Sequence, residues 1–171
     1  NSTDAAFVKY LNNPKRGIAS FSIGKTIHYK FLLFNNSLIR ASVFNNLKLD
    51  VMLNSYGGEE LEFAFRLSQK YPNMICASPN AIVYRDFYPT LDQHCRRLEE
   101  FGSNNFLKLS KTLQLEVVYF PFLLKRFFLL KSIVQVFEIT GSIKYTPSFI
   151  LYYVIRLRLL VAILKGYYKA S

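Results

Sequence analysis

Two adjacent carboxylates, Glu59 and Glu60, follow a glycine pair in the segment Tyr56-Gly57-Gly58-Glu59-Glu60. A glycine pair lets the backbone turn tightly and approach a ligand closely, and a carboxylate in the first turn of a helix is held rigidly. Such a group can act as a general base that removes the proton of an attacking hydroxyl. The same acids would also favour the positive end of a helix dipole without any chemistry, and their spacing alone does not separate the two interpretations.

Asn36 and two arginines are further candidates for substrate binding. Asn36 follows an apolar run, whereas Arg96 and Arg97 stand side by side in a charged segment. A guanidinium matches phosphate oxygens with two hydrogen bonds, so either arginine could bind a diphosphate. The alternative is a solvated face on which they pair with Glu99 and Glu100.

The histidines and cysteines are scattered. His94 is either a metal ligand or an ordinary hydrogen-bonded side chain, and His28, beside a predicted strand, is interpreted as structural. Cys76 and Cys95 form neither a CxxC pair nor a zinc-binding spacing. We therefore expect two structural thiols in a reducing compartment.

Hydrophobic periodicity predicts the elements that position these residues. Short apolar runs predict strands over 29–34, 74–77 and 81–84. Helices are predicted over 37–44 (capped by Asn36 or Ser37), from Glu59 to a stop at Tyr71-Pro72-Asn73, over 91–101 (with Gly102 as C-cap), and in two blocks over 113–140 and 147–168.

The segment 57–67 reads GGEELEFAFRL and resembles the GGED-x-EF-x-x-R-L motif of family-2 glycosyltransferases and of the related galactosyltransferase C-terminal segment. Upstream, FLLFNNSLIR at 31–40 resembles the N-x-S-x-x-R strand-to-helix element that precedes that motif. Downstream, His94 lies where many members carry a histidine before an amphipathic helix. The resemblance covers residues 20–110, and the three elements in order are more specific than any one of them.

The resemblance implies an α/β fold, namely the C-terminal part of a GT-A (Rossmann-like) glycosyltransferase domain followed by amphipathic α-helices. It implies that Glu60 takes the place of the catalytic base, usually Asp, and that Glu59 binds acceptor hydroxyls. It also implies that Asn36 and Gly58 bind substrate. In metal-dependent members a histidine such as His94 can complete a Mn²⁺ or Mg²⁺ site whose carboxylates come from a D-x-D. No D-x-D occurs here, so we expect the metal to bind only in a complete enzyme.

The segment Gln93-His94-Cys95-Arg96-Arg97 partly resembles the Q-x-x-R-W of processive family-2 synthases. Arg97 stands where those enzymes carry a tryptophan that packs on the acceptor sugar. The absence of this tryptophan therefore argues against polymer synthesis.

Charge and apolar content together indicate a membrane surface. The 171 residues include 22 Lys and Arg against 11 Asp and Glu, and 51% are hydrophobic. Beyond Lys111 the bases lie among long apolar stretches, which predicts amphipathic helices on an anionic membrane. The alternative is a basic helical pair packed on the domain or on a second subunit. Arg156 and Arg158 disfavour a transmembrane helix, and without a recognised motif we expect no nucleic-acid partner.

The sequence therefore predicts a partial GT-A catalytic domain over 1–110 and a basic membrane-associating tail over 111–171. The predicted enzyme transfers a sugar, with inversion, from a nucleotide-sugar donor to a lipid-linked saccharide or other envelope glycan acceptor. It would lie peripherally on the cytoplasmic face of the membrane. We expect the donor-binding half to lie outside this chain, which alone would be inactive. The alternative function is a non-catalytic membrane-surface interaction module.

Overall fold

The computed structural model describes residues 2–13, 16–18, 21–32, 34–84, 86–118, 132 and 148–170. The chain forms two compact units. The first, here called the helical unit, comprises Asn1–Leu11, Asn54–Gly57 and Tyr88–Ser171; the second, the loop-rich unit, comprises Asn12–Leu53 and Gly58–Phe87. This division differs from the predicted one after residue 110, because residues on both sides of 110 belong to the helical unit.

The described residues contain seven α-helices. They are α1 (Ser2–Leu11), α2 (Ala41–Leu47), α3 (Glu59–Lys70), α4 (Leu91–Ser103), α5 (Asn105–Lys108), α6 (Lys111–Val118) and α7 (Ser148–Ala170). Helices α2 and α3 belong to the loop-rich unit and the others to the helical unit. The start of the helical block predicted over 113–140 lies in α6, and the block predicted over 147–168 corresponds to α7. Residues 119–131 and 133–147 lie outside the described part.

The strand predicted over 29–34 is not found. Tyr29–Phe31 and Phe34–Asn36 are single turns of 3-10 helix. The first turn is capped by His28, whose Nδ1 accepts a hydrogen bond from the backbone N–H of Lys30 at 3.3 Å. This local side-chain-to-backbone bond competes with extended structure.

The other two predicted strands are also absent from the described residues. Segment 74–77 pairs with 24–27 through three backbone hydrogen bonds of 2.8–2.9 Å, but the pairing amounts to one isolated antiparallel bridge between Thr26 and Cys76. Segment 81–84 has no regular structure. The expected α/β class thus remains a prediction.

Helix α3 has the predicted boundaries, since it begins at Glu59 and its C-cap is Tyr71. The prediction for α2 is wrong at its start: the helix begins at Ala41 with Arg40 as N-cap, and neither Asn36 nor Ser37 caps it. Arg40 supplies no capping side-chain hydrogen bond. Asn36 is instead the last residue of the separate 3-10 turn Phe34–Asn36.

Helix α4 begins at the predicted Leu91, where Thr90 and Gln93 form a reciprocal capping box. The prediction that Gly102 is its C-cap is wrong, because α4 continues to Ser103 and is capped by Asn104. Gly102 is buried and faces α7: a Cβ atom there would lie 2.0 Å from the carbonyl oxygen of Ile163.

A second glycine, Gly166 on α7, makes the reciprocal contact. A Cβ atom at this position would lie 1.9 Å from the carbonyl oxygen of Glu99. The two glycines therefore let the backbones of α4 and α7 touch. Further along the crossing, Leu91, Ile155 and Leu159 pack with α1 into one buried cluster.

Ion pairs join the same two helices. Arg158 contacts Asp92 at 2.6 Å, and Lys165 and Lys169 both bind the carboxylate of Glu99. Burial of Glu99 raises its pKa, but the hydrogen bonds from both lysines outweigh this effect and leave the pKa below its ordinary value. Glu99 therefore pairs with α7, and the predicted alternative in which it pairs with Arg96 or Arg97 is not found.

None of the described helices is long and apolar enough to cross a membrane.

Substitution of Gly102 or Gly166 by alanine should destabilise the helical unit. The added methyl group meets backbone atoms that cannot rotate away, so α4 and α7 must separate, at a cost of about 1–3 kcal/mol. We expect a fall of about 5 °C in the melting temperature measured by thermal unfolding. Gly17→Ala is the matched control, since a Cβ there meets nothing within 4 Å, and an equal melting temperature for all three variants would contradict the packing role.

Candidate functional site

The glycine pair before α3 adopts a backbone that other residues rarely reach. Gly57 has φ +81° and Gly58 has φ +92°, both in the left-handed region. Gly58 is the N-cap of α3, and its carbonyl accepts the hydrogen bond of the Glu62 N–H at 2.9 Å. Glycine is thus required by conformation, which places Glu59 and Glu60 in the first turn of α3 as the sequence predicts.

Glu60 is half-buried and tied to a neighbouring turn. Its Oε1 accepts a hydrogen bond from the backbone N–H of Phe34 at 3.3 Å. Burial raises the pKa of Glu60 above its ordinary value, the bond from Phe34 opposes that rise, and the charge of Glu59 adds to it. A carboxylate with a raised pKa is a stronger base than a solvated one, so Glu60 has the chemistry that proton abstraction requires.

Glu59 has an unusual carboxylate. Its Oε2 is buried and accepts no hydrogen bond within the described part of the chain. A buried polar oxygen without a donor is costly, and in native proteins it commonly marks a place where water or a ligand binds. A hydroxyl group could satisfy this oxygen.

Asn36 lies in the turn that Glu60 holds. It is exposed, and its Nδ2 donates a hydrogen bond to the carbonyl of Ala81 at 3.0 Å. Asn36 and Glu60 are therefore anchored to one 3-10 turn, Phe34–Asn36. Together with Gly58 and Glu59, they are the predicted site residues that belong to the loop-rich unit.

The remaining predicted residues lie on α4 in the helical unit. Arg96 is exposed, and the guanidinium of Arg97 lies 5.6 Å from the centroid of the Tyr56 ring, a cation–π distance. The ring of His94 is half-buried and lies 5.4 Å from the ring of Phe7.

The described residues offer no closed metal site. No group of three or more His, Cys, Asp and Glu side chains comes together in the described ranges. His94, whose neighbour is the apolar ring of Phe7, could supply at most one ligand to a site completed by other residues.

Arg66, the arginine of the motif at 57–67, is a positioning residue for which no role was predicted. Its Nε and Nη2 bind Glu62 at 2.6 and 2.8 Å, and its Nη1 and Nη2 donate to the carbonyls of Leu47 and Lys48 at 2.7 and 2.8 Å. Arg66 thereby fastens the end of α2 to α3. The i,i+4 spacing of Glu62 and Arg66 was the available signal, whereas the contact with α2 has none in the sequence.

Asn105 was missed as well. It is fully buried, and its Nδ2 donates to the carbonyls of Ser55 and Gly57 at 2.6 and 2.8 Å. It holds the segment Asn54–Gly57 within the helical unit. An asparagine near a helix end has many ordinary explanations, so the sequence gives no signal for this role.

The raised pKa of Glu60 has a measurable consequence for stability. Between its ordinary pKa of 4.5 and the raised value, the folded chain binds more protons than the unfolded chain, so the free energy of unfolding falls as pH rises through this window. Glu60→Gln still accepts the Phe34 N–H bond but cannot ionise. Its melting temperature relative to the parent should therefore increase as pH is raised from about 4 to about 7 in buffered thermal scans.

Glu99→Gln is the control for this experiment, because the pKa of Glu99 is lowered. Ionised Glu99 stabilises the fold above its ordinary pKa, so this variant should lose melting temperature relative to the parent as pH rises. Parallel pH profiles for the two variants would contradict the assignment of opposite shifts.

Comparisons of the chain with protein-family models, with curated proteins and with solved structures each found no match. The resemblance to family-2 glycosyltransferases therefore depends on the residues of this sequence alone.

Proposed function

We propose that the chain is the acceptor-side part of an inverting glycosyltransferase with an α/β, GT-A-type domain, which transfers a sugar from a nucleotide-sugar donor to an acceptor hydroxyl. The observation that carries the proposal is the environment of Glu60. This carboxylate follows the left-handed Gly58 cap, lies in the first turn of α3 and has a raised pKa. The resemblance of the GGEELEFAFRL motif, which contains the same residues, adds support.

In the proposed reaction Glu60 removes the proton of the acceptor hydroxyl as its oxygen attacks the anomeric carbon. The nucleoside diphosphate leaves from the opposite face, which inverts the configuration. The Phe34 N–H occupies Oε1 of Glu60, so Oε2 is the oxygen that takes the proton. The buried Oε2 of Glu59 accepts a hydrogen bond from a second acceptor hydroxyl and orients the sugar.

The donor would bind largely through a further half of the enzyme. Arg96 or Arg97 of this chain would contact its diphosphate, since both side chains are exposed. A Mn²⁺ or Mg²⁺ ion, when bound in the complete enzyme, would neutralise charge on the leaving diphosphate, with His94 as one candidate ligand.

The proposed location is peripheral, on the cytoplasmic face of an anionic membrane. Its support is the net charge of +11. Three bases of α7 already pair with acids of α4. Lys111, an exposed base of the predicted tail, is one residue that would therefore contact lipid phosphates.

Glu60→Gln in the full-length protein tests the proposed function. The variant keeps the shape of the side chain but removes its basicity, so turnover should fall about a hundredfold or more while donor affinity is unchanged. The assay is release of the nucleoside diphosphate from a panel of nucleotide-sugars in the presence of acceptor, with donor affinity measured by calorimetry.

Glu62→Gln is the matched control, because it removes the same charge from the same helical turn while Glu62 is occupied by Arg66. Its turnover should stay within a few-fold of the parent, and any loss should follow its melting temperature. Equal losses of turnover in the two variants would show that Glu60 acts only on the fold.

The membrane proposal predicts that the chain co-sediments with vesicles that contain phosphatidylglycerol and not with vesicles of pure phosphatidylcholine. Binding should weaken when salt is raised from about 0.1 M to about 1 M, because the screening length falls from about 10 Å to about 3 Å. Equal binding to both kinds of vesicle would contradict an electrostatic contact.

A further inference from the structure

An open cavity of about 830 Å³ lies within the loop-rich unit. Its volume is in the range of small-molecule sites. The walls come from the Phe34–Asn36 turn, from α2, from Leu67 on α3 and from the segment 74–76. All of these belong to one compact unit.

Most of the cavity wall is apolar and incompletely covered. Ile27, Phe31, Leu32, Ile39 and Val43 line it and are half-buried, while the deeper Leu67 and Ile75 are buried. An apolar body placed in the cavity would remove this partly wetted surface from water, which is the main driving force for binding an apolar ligand.

The polar residues that line the cavity carry one sign of charge. Asn35, Ser37 and Arg40 are among them and are exposed, and of the described lining residues only Arg40 is charged. A guanidinium binds a phosphate oxygen pair with good geometry. The complementary ligand therefore has an apolar chain and one anionic group at its end.

The same turn connects this cavity with the proposed base. Phe34 lines the cavity, and its backbone N–H is the donor to Glu60. A head group bound at Asn35, Ser37 and Arg40 consequently lies beside the turn that Glu60 holds. No described carboxylate lines the cavity to repel it.

We propose that this cavity binds an amphiphile with a long apolar chain and a terminal phosphate or diphosphate, and that the acceptor of the proposed transfer is linked to such a lipid. The identity of the ligand as acceptor rests on the proposed function. The binding itself does not, so it can be tested without any transfer activity.

Three probes separate the parts of the ligand: farnesyl phosphate, farnesol and inorganic phosphate. Titration calorimetry of the chain, with the lipids kept below the concentration at which they aggregate, should show one farnesyl phosphate bound per chain. Farnesol should bind about tenfold more weakly, the loss of ~1.4 kcal/mol from the missing anionic contact. Inorganic phosphate alone should give no measurable binding, since it lacks the apolar chain.

Two variants of lining residues and one control variant assign the site. Arg40→Ala should reduce the affinity for farnesyl phosphate to that for farnesol, and Lys48→Ala, an exposed base of the same unit outside the cavity lining, should leave it unchanged. Ile39→Trp should lower the affinity for both lipids at least about tenfold by filling the cavity. A melting temperature equal to that of the parent would show that Ile39→Trp keeps the fold. Arg40→Ala tests the site independently, because Arg40 is exposed.

The proposal is overturned if Arg40→Ala and Lys48→Ala behave alike, or if farnesol binds as tightly as farnesyl phosphate. It is also overturned if the full-length protein no longer binds farnesyl phosphate, because another part of the polypeptide then covers the cavity. Retained lipid binding together with full transfer activity of Glu60→Gln would refute the base and leave the lipid site standing. Loss of activity in Glu60→Gln, together with no binding of farnesyl phosphate by the parent chain, would refute the lipid site and leave the base standing.

Discussion

The hydrogen bond between Glu60 and the backbone of Phe34 is the contact on which the candidate site depends. The loop-rich unit has no strand among its described residues, so its 3-10 turns are held by side chains instead of by a sheet. Glu60 ties the Phe34–Asn36 turn to α3, and Asn36 then ties that turn to Ala81. A group proposed for chemistry is therefore also part of the scaffold, and neutral glutamine is the substitution that separates the two roles.

Aromatic packing and one arginine secure the other side of α3. Phe63 is fully buried, and its ring contacts those of Phe34 and Phe44 at centroid distances of 5.4 and 5.6 Å. Arg66, one turn along the helix, binds the carbonyl groups that end α2. Phe63 and Arg66, two motif residues that are not candidate catalysts, thus have a structural explanation: they fix the neighbours of the helix whose first turn carries the acids.

The sequence predicted correctly those helices whose start and stop residues lie next to them in the chain. Helix α3 could be bounded from sequence, because the glycine pair and the acids mark its start and Tyr71-Pro72-Asn73 its end. Gly102 could not be interpreted correctly, because a glycine near the end of a helix signals a C-cap and a close helix contact equally well. Only the position of α7 decides between them. Glu60 was proposed as the base from the motif resemblance, but its raised pKa results from tertiary burial and has no local signature.

The burial that makes Glu60 a better base also makes the ionised site less stable. Desolvation favours the protonated form, so keeping this carboxylate charged near neutral pH costs folding free energy, to which the neighbouring charge of Glu59 adds. The buried, unpartnered oxygen of Glu59 adds a further cost of the same kind. Such costs persist most readily at functional sites. In the proposed reaction, one acceptor hydroxyl that gives its proton to Glu60 and a second that donates a hydrogen bond to Glu59 would remove both. On the proposed function, the stability that these two carboxylates cost the fold would be recovered as binding energy at the reacting group.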